Sequence, residues 1–193
     1  MEHEIMMTGV GGQGIQLATQ ILARSAVVEE REVMTLGTYG GTMRGGNTDS
    51  TIVVADAPIH SPPILSKIGT ALAMHHAFFG PIKEKLRPGA LVVVNSTVFE
   101  GKVEAAGTNY FEVPATRIAS DLGIGMAASL VLIAAYASLT GFVSLDSLIE
   151  AMKQSVPSYR SQHLEGNAKA LSAGFAALAP SGVPAWPGEG GAK

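Results

Sequence analysis

The first residues suited to chemistry form a glycine-rich stretch near the start of the chain. Residues 8–16 read TGVGGQGIQ and follow the apolar run 5–7, so the pattern predicts a strand that leads through a tight turn into a helix. The glycines have the G-x-G-x-x-G spacing with which dinucleotide-binding folds bring a pyrophosphate to the backbone at a helix N-terminus. The residues expected to contact an anion here are Gly9, Gly11, Gly12, Gln13 and Gly14.

A second glycine-rich stretch, TYGGTMRGGNT, occupies residues 38–48. Its glycine pairs let backbone amides converge, and the guanidinium of the arginine between them can bind a phosphate or carboxylate through two hydrogen bonds. The alternative is an exposed turn with a solvated arginine. Because the stretch follows the second predicted strand, we expect it at the same carboxyl edge of the sheet as the first stretch. Its expected ligand-binding residues are Arg44, Gly45, Gly46 and Asn47.

A nicotinamide or flavin enzyme is one interpretation of the first stretch, but the second predicted strand argues against it. Rossmann domains that bind such cofactors carry Asp or Glu at the end of that strand, about 20 residues beyond the glycines, to hold the ribose hydroxyls. Here the strand ends in Leu36, Gly37 and Thr38, and the acidic residues Glu29 and Glu32 precede it. Two alternatives stay open: a dinucleotide site without this acid, and glycines that serve only the turn.

Alternating strands and helices are predicted to position these two stretches. Apolar and β-branched runs predict six strands, and helical spacing predicts a helix directly after the first glycine turn and mainly helices from Pro114 onward. This order favours a three-layer α/β/α sandwich with a largely parallel, Rossmann-like sheet and a helical C-terminal part. The strands are predicted at 5–7, 33–36, 48–55, 70–74, 90–95 and 108–113, and the helices at 15–29, 81–86, 114–122, 125–140, 145–154 and 158–178.

Residues 1–179 are predicted to form a single α/β domain. The final residues 180–193, PSGVPAWPGEGGAK, are rich in proline and glycine, and we expect them to form a flexible tail. The longest apolar run, 126–139, is shorter than the roughly 20 residues that a membrane-spanning helix needs, so it is interpreted as a buried helix.

Composition restricts the partners and cofactors of the chain. A net charge of −3, with 13 Lys and Arg residues, does not supply the basic surface that binds nucleic acid. The chain has no cysteine, so it cannot ligate an iron–sulfur cluster through thiolates. The N-terminal residues MEHEIMM lack the basic region of a signal peptide, which indicates a cytoplasmic location. We therefore expect no nucleic-acid partner, no membrane and no metal or redox cofactor held by this chain alone.

Several segments, taken in order, resemble the gamma subunits of the 2-oxoacid:ferredoxin oxidoreductases, which include the pyruvate, 2-oxoisovalerate, 2-oxoglutarate and indolepyruvate enzymes. The resemblance extends over residues 4–175, and the GGQG and RGG elements together are more specific than a G-x-G-x-x-G alone. The segments are GVGGQGIQLATQILARSA, YGGTMRGGNTDSTIVVADAPIHSPPI, LRPGALVVVNS, VPATRIASDLG and GNAKALSAGF.

The resemblance implies a role inside a larger assembly. Such enzymes oxidatively decarboxylate a 2-oxoacid on thiamine diphosphate, pass electrons through iron–sulfur clusters to ferredoxin and, in most members, release an acyl-CoA. Alpha and beta chains hold the thiamine diphosphate, and beta or delta chains hold the clusters. The resemblance therefore implies alpha, beta and delta-type partners and ferredoxin reached through the complex. Within such a complex, the edge formed by the two glycine stretches suits either a phosphate of CoA or a loop of a partner chain. The chain alone would be inactive.

Two other functions stay open from the sequence: a free-standing Rossmann-type dinucleotide-binding oxidoreductase, and a non-catalytic assembly module. The chain also departs from the family pattern. Ser129 stands where an asparagine is usual and Ala134 where a glycine is usual, and after SPPI the chain reads KIGTALAM where the family commonly has an aspartate. These changes leave the fold assignment intact, and they leave two alternatives for the chain: a typical pyruvate-type subunit or a divergent paralogue.

Two further groups of polar residues follow predicted strands. His75 and His76 would point to opposite faces if they continued their strand, and no acidic or thiol side chain stands at ligand spacing, so a metal site is not expected. Asn95, Ser96 and Thr97 end the next strand. They either reach the same edge as the glycine stretches or form an ordinary polar turn.

Overall fold

The computed structural model describes residues 1–39, 45–60, 62–101, 103 and 107–186. Its centre is a six-stranded sheet with the order β2-β3-β1-β4-β5-β6. β3 runs antiparallel to both of its neighbours, while the pairs β1/β4, β4/β5 and β5/β6 are parallel. The strands are β1 (Glu2–Val10), β2 (Glu32–Tyr39), β3 (Asn47–Ala55), β4 (Ile68–Ala73), β5 (Leu86–Asn95) and β6 (Asn109–Val113).

Helices cover the two faces of this sheet unequally. The larger core lies on one face, where side chains such as Met7 and Leu72 are buried with α1 and with the C-terminal helices. On the opposite face, a smaller cluster that includes Met6 and Val92 packs under Phe79 and Ile82 beside the short helix α2. The predicted α/β sandwich with a mainly parallel sheet is confirmed. The helices are α1 (Ile15–Val28), α2 (Gly80–Lys83), α3 (Ala115–Asp121), α4 (Ala128–Thr140), α5 (Leu145–Ser155) and α6 (Leu164–Phe175).

Local sequence explains where the central helices begin and end. α4 is apolar around its whole circumference and is almost entirely buried, as expected for the run 126–139. It ends at Gly141, whose φ of 64° is the left-handed conformation that favours glycine. Ser144 then caps α5 because its hydroxyl accepts a hydrogen bond from the Ser147 amide. No helix in the described part of the chain combines the length and the apolar character that crossing a membrane requires.

Among the boundaries that differ from the predictions, two change the type of element at those residues. β5 begins at Leu86, where a helix was predicted. Its register with β4 shifts between the pairs Ile68–Leu86 and Thr70–Leu91. Gly89, with a φ of 80°, lies in this irregular start of the strand. The predicted last helix begins as a 3₁₀ turn, Ser158–His163, and becomes α-helical only at α6 because Arg160 has non-helical angles.

Residues 181–186, here called the C-terminal strap, pack on the domain, so the expectation of a free tail from residue 180 is wrong for them. The amide of Ser181 donates to the carbonyl of Leu139 at 2.8 Å, and the amide of Ala185 donates to the carbonyl of Thr140 at 2.8 Å. The last carbonyls of an α-helix have no partner within the helix, so the end of α4 can bind a passing segment. Residues 187–193 of the predicted tail lie outside the described residues.

Trp186 anchors the strap against the start of β1. Its side chain is 7% exposed, and its indole N–H donates to the carbonyl of Phe142 at 2.9 Å. The indole stacks on the Phe142 ring at 5.8 Å, the His3 ring meets it edge-on at 4.4 Å, and the Arg31 guanidinium lies 3.5 Å from its centroid. The aromatic side chain and the helix-end hydrogen bonds together explain why a proline- and glycine-rich segment is ordered here.

The burial of His3 makes stability depend on pH. Burial lowers the pKa of His3 below its ordinary value of 6.5. A backbone hydrogen bond to Ala185 is the main opposing effect, the positive charges of Arg31 and the N-terminus lower the pKa further, and Asp56 raises it slightly. The unfolded chain therefore takes up this proton at higher pH than the folded one. The stabilisation is complete above pH 6.5 and is lost as the pH falls from 6.5 through the folded pKa.

His3→Gln is expected to flatten this dependence. Urea unfolding of the wild-type chain should show a midpoint that falls between about pH 8 and pH 5, and His3→Gln should reduce the fall. His60→Gln, which changes an exposed histidine, serves as the control and should leave the slope unchanged. Equal slopes for the wild type and His3→Gln would contradict the assignment.

Candidate functional site

The two glycine-rich stretches meet at the carboxyl edge of the sheet. The amide of Gly11 donates to the carbonyl of Gly46 at 2.8 Å, and the amide of Gly45 donates to the carbonyl of Gly11 at 3.2 Å. These hydrogen bonds continue the β1–β3 ladder, in which Val10 pairs with Asn47. The expected placement at one edge is confirmed for the described end of the second stretch, residues 45–48. Their role in binding a ligand stays a prediction.

The first stretch leaves the N-terminus of α1 open. Gly14 is the N-cap residue, in the left-handed conformation with a φ of 76°, and no side chain caps this end of the helix. Gly12 has a φ of 106°, and a Cβ atom there would have no neighbour within 4 Å. The turn is therefore open to a bound anion on the Gly12 side, where no side chain stands in the way.

Gly9 and Gln13 hold the turn in place. The Gln13 side-chain oxygen accepts a hydrogen bond from the Val10 amide at 2.8 Å. A Cβ atom on Gly9 would lie 2.6 Å from that oxygen and 2.7 Å from the Ile15 Cδ1 atom, so this position admits only glycine without rearrangement. Among the predicted contact residues, these two have visible packing roles of their own.

Two predicted residues of the second stretch remain, Arg44 and Asn47. Arg44 lies outside the described residues, so its part in the site is still a prediction from the sequence. Asn47 points to its own strand, since its side-chain N–H donates to Asp49 Oδ2 at 2.8 Å.

A cleft of about 840 Å³ opens beside the first glycine stretch. One wall is the start of α1, and the other combines the segment 123–127, which includes the 86% exposed Met126, with the segment 155–167. The second wall brings Arg160, His163 and Asn167 to the cleft. Sequence reasoning missed these three residues because they lie about 150 positions from the glycine turn and form no recognisable motif with it.

Ser129, which departs from the family pattern, also lines this cleft. Its hydroxyl donates to the carbonyl of Gly14 at 3.5 Å, and a Cβ atom on Gly14 would lie 2.9 Å from the same hydroxyl oxygen. The residue at this position therefore touches the end of the glycine turn, and a serine supports the turn with a smaller side chain than an asparagine would.

The two histidines do not form the arrangement predicted for a strand. β4 ends at Ala73, so His75 is the N-cap and His76 the first residue of a 3₁₀ helix, His76–Phe78, and their rings are 4.5 Å apart instead of on opposite faces. The ring of His75 accepts a hydrogen bond from the Ala77 amide at 3.1 Å, and that of His76 lies 3.2 Å from the Val98 carbonyl. Within the described ranges, no group of three or more His, Asp or Glu side chains is arranged to hold a metal ion.

Asn95 is a structural residue at the end of β5. It is fully buried, its side-chain N–H donates to the Thr116 hydroxyl at 2.8 Å, and its oxygen accepts from the Thr116 amide at 3.1 Å. Thr97 accepts from the Arg117 amide at 3.2 Å. Of the two interpretations of this group, the polar turn is correct for both residues, because they bind the first turn of α3.

The chain is thus a mainly parallel α/β domain that carries a glycine turn and a cleft at the carboxyl edge of its sheet, the edge at which ligands bind in open α/β sheets. Comparison with known families gives the particular assignment. The model of the pyruvate ferredoxin/flavodoxin oxidoreductase family matches residues 4–177, so the chain belongs to that family.

Individual relatives agree with this assignment. The chain is 32% identical over 160 residues to the 2-oxoglutarate synthase subunit KorC of Methanocaldococcus jannaschii, a match that covers 81% of this chain and 85% of the relative. It superimposes on the crystal structure of a keto/oxoacid ferredoxin oxidoreductase gamma subunit from Geobacter sulfurreducens with a TM-score of 0.76 and 27% identity, covering 92% of this chain and 96% of that one. The resemblance to the gamma subunits is thereby confirmed, and the chain is a gamma-type subunit of an oxidoreductase complex.

A larger protein contains the same fold. The 2-oxoglutarate:ferredoxin oxidoreductase of Magnetococcus marinus, solved with 2-oxoglutarate, coenzyme A and succinyl-CoA bound, matches with a TM-score of 0.76 at 18% identity. The match covers 94% of this chain but 33% of that one, so the shared unit is one part of a longer polypeptide.

Proposed function

We propose that this chain is the gamma subunit of a cytoplasmic assembly that oxidatively decarboxylates a 2-oxoacid to an acyl-CoA and CO2 and passes the electrons to ferredoxin. In this proposal the chain shapes the CoA side of the active site and is inactive alone. Alpha, beta and delta-type chains are its partners. The names of the relatives make 2-oxoglutarate the first substrate to test.

The chemistry of the redox steps belongs to the partners. This chain has no cysteine with which to ligate an iron–sulfur cluster. Thiamine diphosphate, when bound to the partner chains, supplies the carbanion chemistry of decarboxylation. What this chain can contribute is a fixed set of backbone donors and a cleft wall, which position a substrate without entering the covalent steps.

The observation that carries the proposal is the contact between Gly11 and Gly46 beside the open end of α1. It fixes a surface without Cβ atoms at Gly12 and Gly14, where backbone amides can bind a phosphate of CoA. The adjoining cleft continues from this point to Arg160, whose guanidinium can bind a second phosphate. The apolar part of the cleft, around Ile124, suits a pantetheine arm.

Reconstitution tests the assembly. The full chain, produced with its partner subunits, should co-purify with them and support ferredoxin reduction that requires both CoA and a 2-oxoacid. The chain alone should show none of this activity. A preparation of this chain alone that turns over a 2-oxoacid would refute the proposal, as would an active assembly that lacks it.

Arg160→Gln tests the cleft as the CoA site. Losing one charge-assisted hydrogen bond to phosphate, worth about 1.5 kcal/mol or more, should raise the KM for CoA about tenfold in the assembled enzyme. Lys169→Gln is the matched control, because Lys169 is an exposed cation on the neighbouring helix that pairs only with Glu165 at 2.7 Å among the described residues. Its KM should stay within about twofold of the wild type.

Equal KM values for the two variants would exclude the cleft as the CoA site. Arg44→Ala then separates the remaining functions of the glycine edge. Loss of co-purification with normal CoA-dependent turnover of the residual complex would identify the second glycine stretch as an assembly contact, as in the non-catalytic alternative. A raised KM for CoA with intact assembly would place the ligand at the stretch itself.

A further inference from the structure

Asp49 joins the ends of the two strands that carry the glycine stretches. It lies in β3 directly opposite Thr8 of β1. The hydroxyl of Thr8, which is fully buried, donates to Asp49 Oδ1 at 2.6 Å. The side-chain N–H of Asn47 donates to Asp49 Oδ2 at 2.8 Å. Each carboxylate oxygen therefore accepts a hydrogen bond from a residue close to the Gly11–Gly46 contact: Thr8 lies three positions before Gly11, and Asn47 directly follows Gly46.

The backbone of Asp49 makes a third connection, to α1. Its carbonyl accepts a hydrogen bond from the Gln16 side chain at 2.8 Å. Gln16 lies in the first turn of α1 and lines the cleft. The same side-chain amide packs against Gly37 of β2, where a Cβ atom would collide with the Gln16 Oε1 atom. One residue thus ties β1, β3 and the open end of α1 together.

Asn47 depends on this carboxylate for its orientation. Its side-chain oxygen is buried and has no hydrogen-bond partner in the described part of the chain. The bond to Asp49 is therefore what selects the rotamer of Asn47, the residue that follows Gly46. The carbonyl of Gly46, next to Asn47 in the chain, accepts the hydrogen bond from the Gly11 amide, so the position of Asn47 bears on that hydrogen bond.

We propose that Asp49 is a positioning residue for the ligand-binding edge: it sets the distance between the two glycine stretches and the direction of the first amides of α1. The inference rests on the proposed function, because the ligand whose binding it affects is the phosphate group of CoA. Asp49 touches no ligand in this arrangement. Its effect passes through Thr8, Asn47 and Gln16.

Substitutions separate the hydrogen bonds of Asp49 from its charge. Asp49→Ala leaves the buried Thr8 hydroxyl and the Asn47 amide without their acceptors, which loosens the edge. Asp49→Asn retains an acceptor for Thr8, and its N–H can donate to the Asn47 oxygen once that amide turns over and places its own N–H at the buried position that has no partner among the described residues. Thr8→Val removes one bond and keeps the carboxylate. Asp121→Ala, at the exposed end of α3, removes an unrelated carboxylate as a control.

The test measures steady-state kinetics of the assembled enzyme with each variant. Asp49→Ala should raise the KM for CoA about tenfold, with kcat and the KM for the 2-oxoacid within about twofold of the wild type. Thr8→Val should give a smaller rise, and Asp49→Asn should return the KM for CoA to within about threefold of the wild type. Asp121→Ala should match the wild type.

Three results would overturn the inference: a wild-type KM for CoA in Asp49→Ala, an equal loss in Asp49→Asn and Asp49→Ala, or a parallel rise in the KM for the 2-oxoacid. The second of these would show that the charge, and not the hydrogen bonding, matters. If Asp49→Ala does not assemble, Thr8→Val and Asp49→Asn decide the question by the same criteria. A wild-type assembly whose turnover needs no CoA would instead refute the proposed function.

Discussion

Gly174→Ala is expected to destabilise the domain by about 2–3 kcal/mol, although alanine normally favours a helix over glycine by about 1 kcal/mol. Gly174 lies where α6 crosses α4, and a Cβ atom there would be 2.7 Å from the Cα atom and 2.9 Å from the carbonyl carbon of Val131. These are backbone atoms of a helix that is buried almost throughout. Neither can move aside, so the two helices must separate.

Gly166→Ala provides a matched control in the same helix. A Cβ atom at Gly166 would approach the Ile124 Cγ2 atom at 3.0 Å, which is the end of a side chain that can rotate. Its helix propensity gain of about 1 kcal/mol should offset the strain, so the urea midpoint should change little. Gly174→Val should lower the midpoint more than Gly174→Ala does. Similar midpoints for the two alanine variants would show that the α4–α6 contact is not closely packed in solution.

The parts of the fold that depend on neighbouring residues could be predicted from the sequence. The glycine turn into α1, the buried helix α4 with its C-terminal Gly141, and the Ser144 cap are each encoded within a few residues. The direction of β3 was also accessible. The predicted strands 33–36 and 48–55 leave the eleven residues 37–47 between them, and a parallel pair needs a crossover of a dozen or more.

The cleft's second wall and the strap could not be predicted in this way. Arg160 reaches the cleft through the packing of α6 on α4, a contact between segments with no local signature. The strap has the composition of a disordered tail, and its order depends on the free carbonyls of a distant helix end and on one aromatic side chain. Composition describes what a segment does in isolation, whereas these contacts are supplied by the rest of the domain.

The antiparallel β3 also explains why the glycine turn, although it has dinucleotide-binding spacing, lacks a neighbouring acidic residue of the kind that holds a ribose. In a Rossmann domain that residue stands at the end of the second strand, next to the first. Here β3 lies between β1 and β2, so the end of β2 is one strand further from the turn. Gly45 and Gly46 lie in the place next to the turn, where they bind it through the backbone.

Trp186→Ala is expected to lower the free energy of unfolding by about 2–4 kcal/mol. The substitution removes a side chain that is 7% exposed, its stacking on Phe142, and the donor to the Phe142 carbonyl. The loss of stability has an upper limit. Once the contacts of the strap contribute less free energy than the strap gains in conformational entropy by detaching, the strap detaches from the folded domain. Beyond that point the domain unfolds without the strap, and a further substitution in residues 181–186 should cost little.

Trp186→Phe separates the two contributions of the side chain. It keeps an aromatic ring against Phe142 but leaves that carbonyl without its donor, so a loss of about 1–2 kcal/mol is expected. Pro184→Ala, an exposed position in the strap, is the control. Urea unfolding followed by circular dichroism measures all four chains, and limited proteolysis should cut within the strap faster in Trp186→Ala than in the wild type. Since the chain has one tryptophan, wild-type fluorescence reports this residue alone. A red-shifted emission under native conditions would show that the indole is solvated, and the strap would then contribute nothing to stability.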